Sequence, residues 1–277
     1  MTTTPAAPIP RLVRPDRLRP LAVDVVRSEW TKLRTVRSTY WTLLVAVAGM
    51  VGFGALLCIA YVRHNTSDTA SAGFDPAGYS LNGFFLAQLA IGTLGVVVVT
   101  GEYQTGSIRA TLAATPQRTL ILAAKAAVFA TAAGLTGVIA SLAAFLVGQN
   151  ILAQKHLQTH LSDPAALRSV LGAGLYLAVL GLFGLGLGVL VRRTAGAIAT
   201  LVALILVLPV LIQGLPADWQ DTITRYLPSV AGQAVIGHTR FTPPGHQLSP
   251  WTGLGLFAAY TAATLAAAAI TLDRRDA

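Results

Sequence analysis

Two histidines are the first candidates for chemistry in this sequence, because His156 and His160 stand four residues apart. That spacing would place both imidazoles on one face of a helix, with Asp163 following as a carboxylate ligand for a metal. The residue after the first histidine is Leu157, so the glutamate base of a zinc protease is missing. Glutamines flank the pair, and the stretch therefore resembles a solvated loop in which we expect no metal site.

ATP hydrolysis would need a phosphate-binding loop that ends in glycine, lysine and a hydroxyl residue. None of the three lysines, Lys32, Lys125 and Lys155, follows a glycine. Gly-x-Ser-x-Gly elbows and paired carboxylates inside apolar stretches are absent as well. We therefore expect no catalytic residue and no cofactor on this chain, and we predict that it is not an enzyme.

These candidates lie between long apolar stretches that contain no charged residue. Crossing the hydrocarbon core takes about 20 apolar residues, and each stretch reaches that length. Only 11% of the residues are charged and 54% are hydrophobic, whereas soluble domains carry about 25% charged residues. The sequence predicts an all-α polytopic membrane protein with six transmembrane helices: Ser38–Val62, Pro76–Gly101, Ala126–Gln154, Ser169–Val191, Thr194–Ala217 and Phe241–Leu272.

The basic residues lie mostly on one side of these predicted spans. Of the twenty, fifteen fall before the first span, between the second and third, between the fourth and fifth, or after the sixth. Cytoplasmic flanks collect Lys and Arg, so both termini are expected in the cytoplasm. The net charge of +9 is not clustered as on a nucleic-acid-binding face, and membrane lipids with anionic headgroups are the expected partners.

The segment before the first span divides in two. Residues 1–20 contain five prolines among arginines and are predicted to be a flexible cytoplasmic tail. Residues 21–37 alternate apolar and charged positions with helical spacing, which predicts an amphipathic helix at the membrane surface. The transmembrane domain then covers 38–272, and 273–277 form a cytoplasmic tail. The surface-helix residues of interest are Glu29, Trp30, Lys32, Leu33 and Arg34.

The loop between the second and third spans, 100–119, is the most informative one. Ile108, Thr111 and Leu112 recur with helical spacing, Gly106 precedes them and Pro116 stops them, which predicts a short amphipathic helix. Glu102, at the cytoplasmic end of the second span, is expected to face water or Arg109.

The predicted spans contain no Asp or Glu, and their one His is His246 near the start of the sixth, which argues against an ion-coupled carrier. Gly184 and Gly188 form a Gly-x-x-x-Gly pair that packs helices closely, either between two subunits or within one. Pro209 is expected to kink the fifth span. Residues 214–250 form a long outer segment, parts of which are apolar enough to dip into the outer leaflet, and segments of this kind are either functional or mobile.

Three parts of the sequence resemble the permease subunits of type-2 ATP-binding-cassette exporters, and most resemble the actinobacterial branch. They are Ser28–Trp41, which reads SEWTKLRTVRSTYW, the loop positions GEY at 101–103, GSIR at 106–109, TP at 115–116 and Arg118, and Arg225–Pro228 with Gly232. The likeness covers nearly the whole chain, although no single motif is as diagnostic as a nucleotide loop. Ser107 stands where threonine is expected, which keeps the hydroxyl.

This resemblance implies a half-transporter of six spans that pairs with a second permease copy or a homologous permease. It implies a separate cytosolic ATPase subunit that binds ATP and Mg, and a coupling helix between the second and third spans. The coupling residues it implies are Glu102, Tyr103, Gly106, Ile108, Arg109, Leu112, Pro116 and Arg118.

The expected function is therefore that of a permease in an ATP-driven exporter of the bacterial cell membrane. The substrate is expected to be a small amphiphile such as a drug, antibiotic, peptide or lipid. The alternative is a membrane sensor or assembly subunit that uses the same docking loop, and an integral membrane enzyme comes third.

Overall fold

The computed structural model describes residues 18–64, 74–107, 117–237 and 248–274. These residues form helices joined by short connections. In chain order the helices are α1 (Leu18–Thr35), α2 (Arg37–His64), α3 (Pro76–Leu81), α4 (Phe84–Thr105), α5 (Arg118–Leu152), α6 (Pro164–Val191), α7 (Thr194–Ile212), α8 (Ala217–Thr224), α9 (Pro228–Gln233) and α10 (Pro250–Arg274).

Within the described ranges, six helices are long and apolar enough to cross a bilayer, which confirms the predicted six spans. They are α2, α4, α5 with its 3₁₀ extension to Lys155, α6, α7 and α10. Helices satisfy their own backbone hydrogen bonds, which is the condition for crossing hydrocarbon.

The second apolar stretch was predicted as one span, and this boundary is wrong. The structure divides it into the short helix α3 and the spanning helix α4, with Asn82 and Gly83 between them. Asp75 caps α3 by accepting a hydrogen bond from the backbone N–H of Ala77. A Cβ at Gly83 would lie 1.9 Å from the carbonyl oxygen of Met50, so glycine permits the close approach of α2 at this break.

Other boundaries also differ from the prediction. α1 begins at Leu18 and ends at Thr35, and α5 begins at Arg118, so that Lys125 lies inside the helix and not before it. α10 begins at Pro250, and the predicted start of the sixth span at Phe241 lies outside the described residues. In α7 a π-helical segment, Ala203–Val207, precedes Pro209, the residue expected to disturb this span.

α6 is the central helix of the bundle. In the most apolar 18-residue stretch of α6, 72% is buried inside the protein, whereas the corresponding share for α2 is 22%. α4, α5 and α10 pack around it, and their contacts depend on small residues. A Cβ at Gly95 would lie 2.1 Å from the carbonyl oxygen of Gly181, so these two backbones meet directly.

One end of the bundle gathers α1, the end of α4, the start of α5, the α6–α7 junction and the end of α10, and we call it the basic end. Arg118 Nη1 donates to the carbonyl oxygen of Leu272 at 2.6 Å, which joins the start of α5 to the end of α10. Of the fourteen basic residues in the described ranges, ten belong to segments at this end: Arg19, Arg27, Lys32, Arg34, Arg37, Arg118, Lys125, Arg192, Arg193 and Arg274.

At the opposite end, α9 and the following 3₁₀ turn, Ala234–Ile236, are buried against α6 and α10. Gln233 Nε2 approaches the Tyr176 hydroxyl at 3.4 Å, and that hydroxyl donates to Gln88 Oε1 at 2.7 Å. This part of the predicted outer segment is thus tied to α6 and α4 by buried polar contacts.

Candidate functional site

The most strongly charged site of the bundle lies at the basic end, where two carboxylates and two ammonium groups meet. Lys125 Nζ donates to Glu29 Oε2 at 2.5 Å and to Glu102 Oε1 at 2.9 Å. Lys32 Nζ donates to Glu29 Oε1 at 2.6 Å and to Glu102 Oε1 at 3.1 Å. We call these four residues the ion cluster. It joins α1, the end of α4 and the first turns of α5.

Burial makes this ion cluster more than a surface contact. The side chains of Glu29 and Lys125 are 4% and 7% exposed, and that of Lys32 is 42% exposed. Burial opposes ionisation of Glu29, but Lys125 and Lys32 outweigh it and hold the pKa of this carboxyl below its ordinary value. Burial also opposes the charge on Lys32, and the bonds to Glu29 and Glu102 outweigh it and raise its pKa. The charges of Glu29 and Lys32 therefore depend on their partners.

Glu102 was expected to face water or Arg109, and the expectation of water is wrong. Its carboxylate accepts from both lysines and is 15% exposed. Packing explains the difference: α1 and α5 cover the end of α4 and remove much of the water around this carboxylate, and charge-assisted hydrogen bonds from two ammonium groups take the place of that water. Arg109 lies outside the described residues.

α1 packs one mixed face, with an apolar and a charged residue, against the bundle and leaves a second apolar stripe exposed. Val25 and Glu29 are buried, and Val25 packs with Ile121 and Ala124 of α5. Val23 and Trp30 are 65% and 39% exposed. An exposed apolar stripe on a helix that packs its other face against the bundle suits a position at a membrane surface. Among the surface-helix residues, Leu33 packs partly against the main core and Arg34 is exposed.

A second set of contacts ties the same end of α4 to the junction of α6 and α7. Thr194 Oγ1 donates to Thr100 Oγ1 at 2.8 Å, and Gln104 Nε2 donates to Thr194 Oγ1 at 3.0 Å. The Arg192 guanidinium lies 5.4 Å from the centre of the Tyr103 ring, within the range of a cation–π contact. The end of α4 is therefore bonded on both of its sides.

Gly106 ends α4 with a φ of 70°, the left-handed conformation that glycine adopts readily. Ser107 is the last residue described before the gap, and Gln117 is the first after it. The predicted short amphipathic helix, with Ile108, Arg109, Leu112 and Pro116, lies outside the described residues. The two helices that border this gap, α4 and α5, are joined to each other by the contact of Glu102 with Lys125.

Gly184 and Gly188 lie inside the subunit, against α4. A Cβ at Gly184 would lie 2.4 Å from the carbonyl oxygen of Gly92, and one at Gly188 would lie 3.0 Å from that of Val96. Of the two uses that the sequence left open, the structure therefore shows packing within one subunit.

The histidine pair does not assemble a site in the part of the chain that the structure covers. His156 follows the 3₁₀ turn in a left-handed conformation, and Asp163 caps α6 by accepting from the backbone N–H of Ala165. No group of three or more metal-ligating side chains occurs among the described residues.

A cavity of about 510 Å³ opens beside the ion cluster, between α1, the start of α2, α4 and α5. Leu94, Val97, Val98 and Val128 form part of its apolar wall, and the four residues of the ion cluster also line it. Volumes of about 300–1,000 Å³ with mostly apolar walls and a few convergent polar groups are typical of small-molecule sites.

Three residues belong to this site that were not predicted from the sequence: Lys125, Arg192 and Thr194. Lys125 was counted as a flanking charge because the apolar stretch begins only at Ala126. The sequence did hold one signal: Glu29 and Glu102 are acidic residues in segments that otherwise collect basic ones, so each needed a nearby cation.

The model of one protein family, described as ABC-2 family transporter protein, matches residues 25–210. No curated protein matches the chain significantly. The family match begins in α1, ends in α7, and therefore includes the whole ion cluster and the contacts of α4 with the α6–α7 junction. The chain belongs to the ABC-2 family of transporter proteins, as a membrane-embedded permease component.

Proposed function

We propose that this chain is the permease subunit of an ATP-driven exporter, and that a separate cytosolic ATPase drives it. The family supports a transport permease. The ion cluster is the observation that best supports coupling between an ATPase and the membrane helices. In this cluster Glu102 at the end of α4 forms ion pairs with Lys32 of α1 and with Lys125 of α5.

The proposed coupling element is the segment 108–116, between α4 and α5. Its apolar residues Ile108 and Leu112 would fill a groove on the ATPase, with Glu102 and Arg109 as polar neighbours. Movement of this segment would reach α4 and α5 together, because the Glu102–Lys125 contact of 2.9 Å joins their ends. The ion cluster would transmit this movement to α1. The contacts of Tyr103 and Gln104 would transmit it to the α6–α7 junction.

The basic end would face the cytoplasm of a bacterial cell, with both termini on that side. The excess of Lys and Arg on this side supports this orientation. Two permease chains would form the substrate pathway, with membrane lipids around them. The proposed substrate is a small amphiphile, supported by the mostly apolar wall and the few polar groups of the cavity beside the ion cluster.

ATP and Mg would bind to the partner, because this chain contains no phosphate-binding lysine loop. The purified chain alone is expected to hydrolyse no ATP, and turnover is expected only with the ATPase added. Robust hydrolysis by the isolated chain, surviving controls for contamination, would contradict the proposal that only the partner hydrolyses ATP.

The coupling segment is tested with Ile108→Asp and Leu112→Asp. Truncating an apolar anchor at an interface costs about 1–4 kcal/mol, whereas a change on a solvated surface costs at most about 0.5 kcal/mol. We expect both variants to reach the membrane at normal levels and to lose copurification with a cassette ATPase. Thr119→Asp, beyond the segment, is the matched control. Variants that bind and stimulate the ATPase like the parent would show that the coupling element lies elsewhere.

A further inference from the structure

The cavity beside the ion cluster has the chemistry of a binding site for an amphiphile. Its apolar wall runs along α4 from Leu94 to Val98, and Glu102 lies eight residues after Leu94, or about 12 Å along the helix axis. Val128 of α5 closes the apolar part. An apolar tail and a polar head would therefore find complementary surroundings at the two ends of one cavity.

The accessible charge at the polar end is positive. The side chain of Lys32 is 42% exposed, whereas those of Glu102, Lys125 and Glu29 are 15%, 7% and 4% exposed. An ammonium group has three donors, and Lys32 uses two of them on Glu29 and Glu102. The third remains for a ligand. Arg34 and Arg37, exposed nearby in sequence, add positive potential at this end of the bundle.

We propose that this cavity binds an anionic amphiphile, with its carboxylate or phosphate head on Lys32 and its tail along Leu94, Val97 and Val98. Identifying this ligand as the transported substrate rests on the proposed function, whereas binding itself needs no ATPase. The head of the ligand and the carboxylate of Glu102 would share the ammonium of Lys32. Binding of the ligand in the cavity would thus affect the end of α4, which lies next to the proposed coupling segment.

Gly101 offers a direct way to close the cavity. It lines the cavity on α4, and a Cβ built there has no other atom within 4 Å. Leucine at this position would extend its side chain from this open space at the cavity wall, and leucine favours helix more than glycine does. Gly255 in α10 is the matched control, because its Cβ also meets nothing within 4 Å and it does not line the cavity.

The test uses the purified full-length permease in nanodiscs of neutral lipid, without ATPase, and a photoreactive fatty acid as the probe. Labelling should map to peptides that contain Leu94–Val98 and should be displaced by oleate. Gly101→Leu should abolish the displaceable labelling, and Gly255→Leu should retain it. Lys32→Gln should weaken displacement by oleate about tenfold, the loss expected for one charge-assisted hydrogen bond. Lys32→Arg should restore it.

Competitors of different charge decide the chemical class. Oleyl alcohol, oleylamine and inorganic phosphate should each displace the probe much less well than oleate does. If oleyl alcohol displaces the probe as well as oleate does, the site recognises only the apolar tail. If oleylamine displaces it better than oleate does, the site selects cations. Displacement by phosphate alone would show an anion site without a tail subsite. Normal labelling of Gly101→Leu would place binding elsewhere, and each of these four results would overturn the proposal.

Failure of the proposed transport function would give a different result from failure of the binding proposal. If probe binding follows the expected pattern but oleate fails to stimulate hydrolysis by the complex with the ATPase, the cavity is a lipid site and the assignment as substrate is wrong.

Discussion

The ammonium of Lys125 lies 2.9 Å from Glu102 Oε1, although the two residues belong to different spanning helices and border the segment proposed to contact an ATPase. The same ammonium contacts Glu29 of α1 at 2.5 Å. One buried cation therefore fixes the relative positions of three helices at the basic end. Its removal would leave Glu29, itself buried, without its closest partner.

Lys125→Met should consequently destabilise the protein. Breaking a buried ion pair from one side costs about 3–5 kcal/mol, because the remaining charge stays desolvated. We expect a clear fall in the thermal unfolding midpoint of the purified permease. Arg34→Met removes an exposed cation from the same end and should change stability by at most about 0.5 kcal/mol. Equal midpoints for the two variants would contradict the structural role of the ion cluster.

The pH dependence of stability should reveal the carboxylate of Glu29. Its pKa is lowered from 4.5 by Lys125 and Lys32 against the effect of burial, so its ionic contribution is present at neutral pH and is lost as the pH falls below 4.5. The pKa of Lys32 is raised from 10.5, so its contribution is lost only in alkali above that value.

Glu29→Gln is the variant that isolates this effect. The parent should unfold at a higher temperature than the variant at about pH 7, and the difference should shrink as the pH approaches about 3.5. Thermal unfolding of both proteins across this range provides the measurement. A difference that stays constant with pH would mean that Glu29 is not held as a carboxylate in the folded protein.

The six spans were predictable because an uncharged apolar stretch of sufficient length has few other structures open to it. The break at Asn82 and Gly83 could not be predicted in this way. Hydropathy carries no information about the close approach of the Met50 backbone, which requires the glycine. The ion cluster was missed for a related reason. A rule that ends a span at its last charge places Lys125 outside the helix, and the compensation by Glu29 depends on how α1 packs against α5.

Helix packing around α6 should depend on its small residues. Gly184→Ala would bring a Cβ to 2.4 Å from the carbonyl oxygen of Gly92, and overpacking of this kind costs about 1–3 kcal/mol. Gly52→Ala is the control, because its Cβ meets nothing within 4 Å. We expect a lower unfolding midpoint only for Gly184→Ala. Unchanged stability of this variant, with loss of a dimer on a sizing column, would instead place the glycine between subunits.

The orientation is open to thiol labelling in a background without Cys58, the single cysteine. A membrane-impermeant reagent applied to intact cells should label Asp68→Cys and His160→Cys, and it should spare Gln117→Cys until the cells are permeabilised. The physical reason is the excess of basic residues at the end that contains Gln117. Labelling of Gln117→Cys from outside would reverse the proposed topology.

If ATP hydrolysis by a partner drives this chain to move an amphiphile, transport itself should be measurable. The most direct measurement is transport of a labelled anionic amphiphile into inside-out proteoliposomes that contain the permease and its cassette ATPase. We expect accumulation that requires ATP, Mg and both subunits, and that is lost with Ile108→Asp. A complex that hydrolyses ATP normally but accumulates none of a broad panel of amphiphiles would contradict the claim and favour a sensor or assembly role.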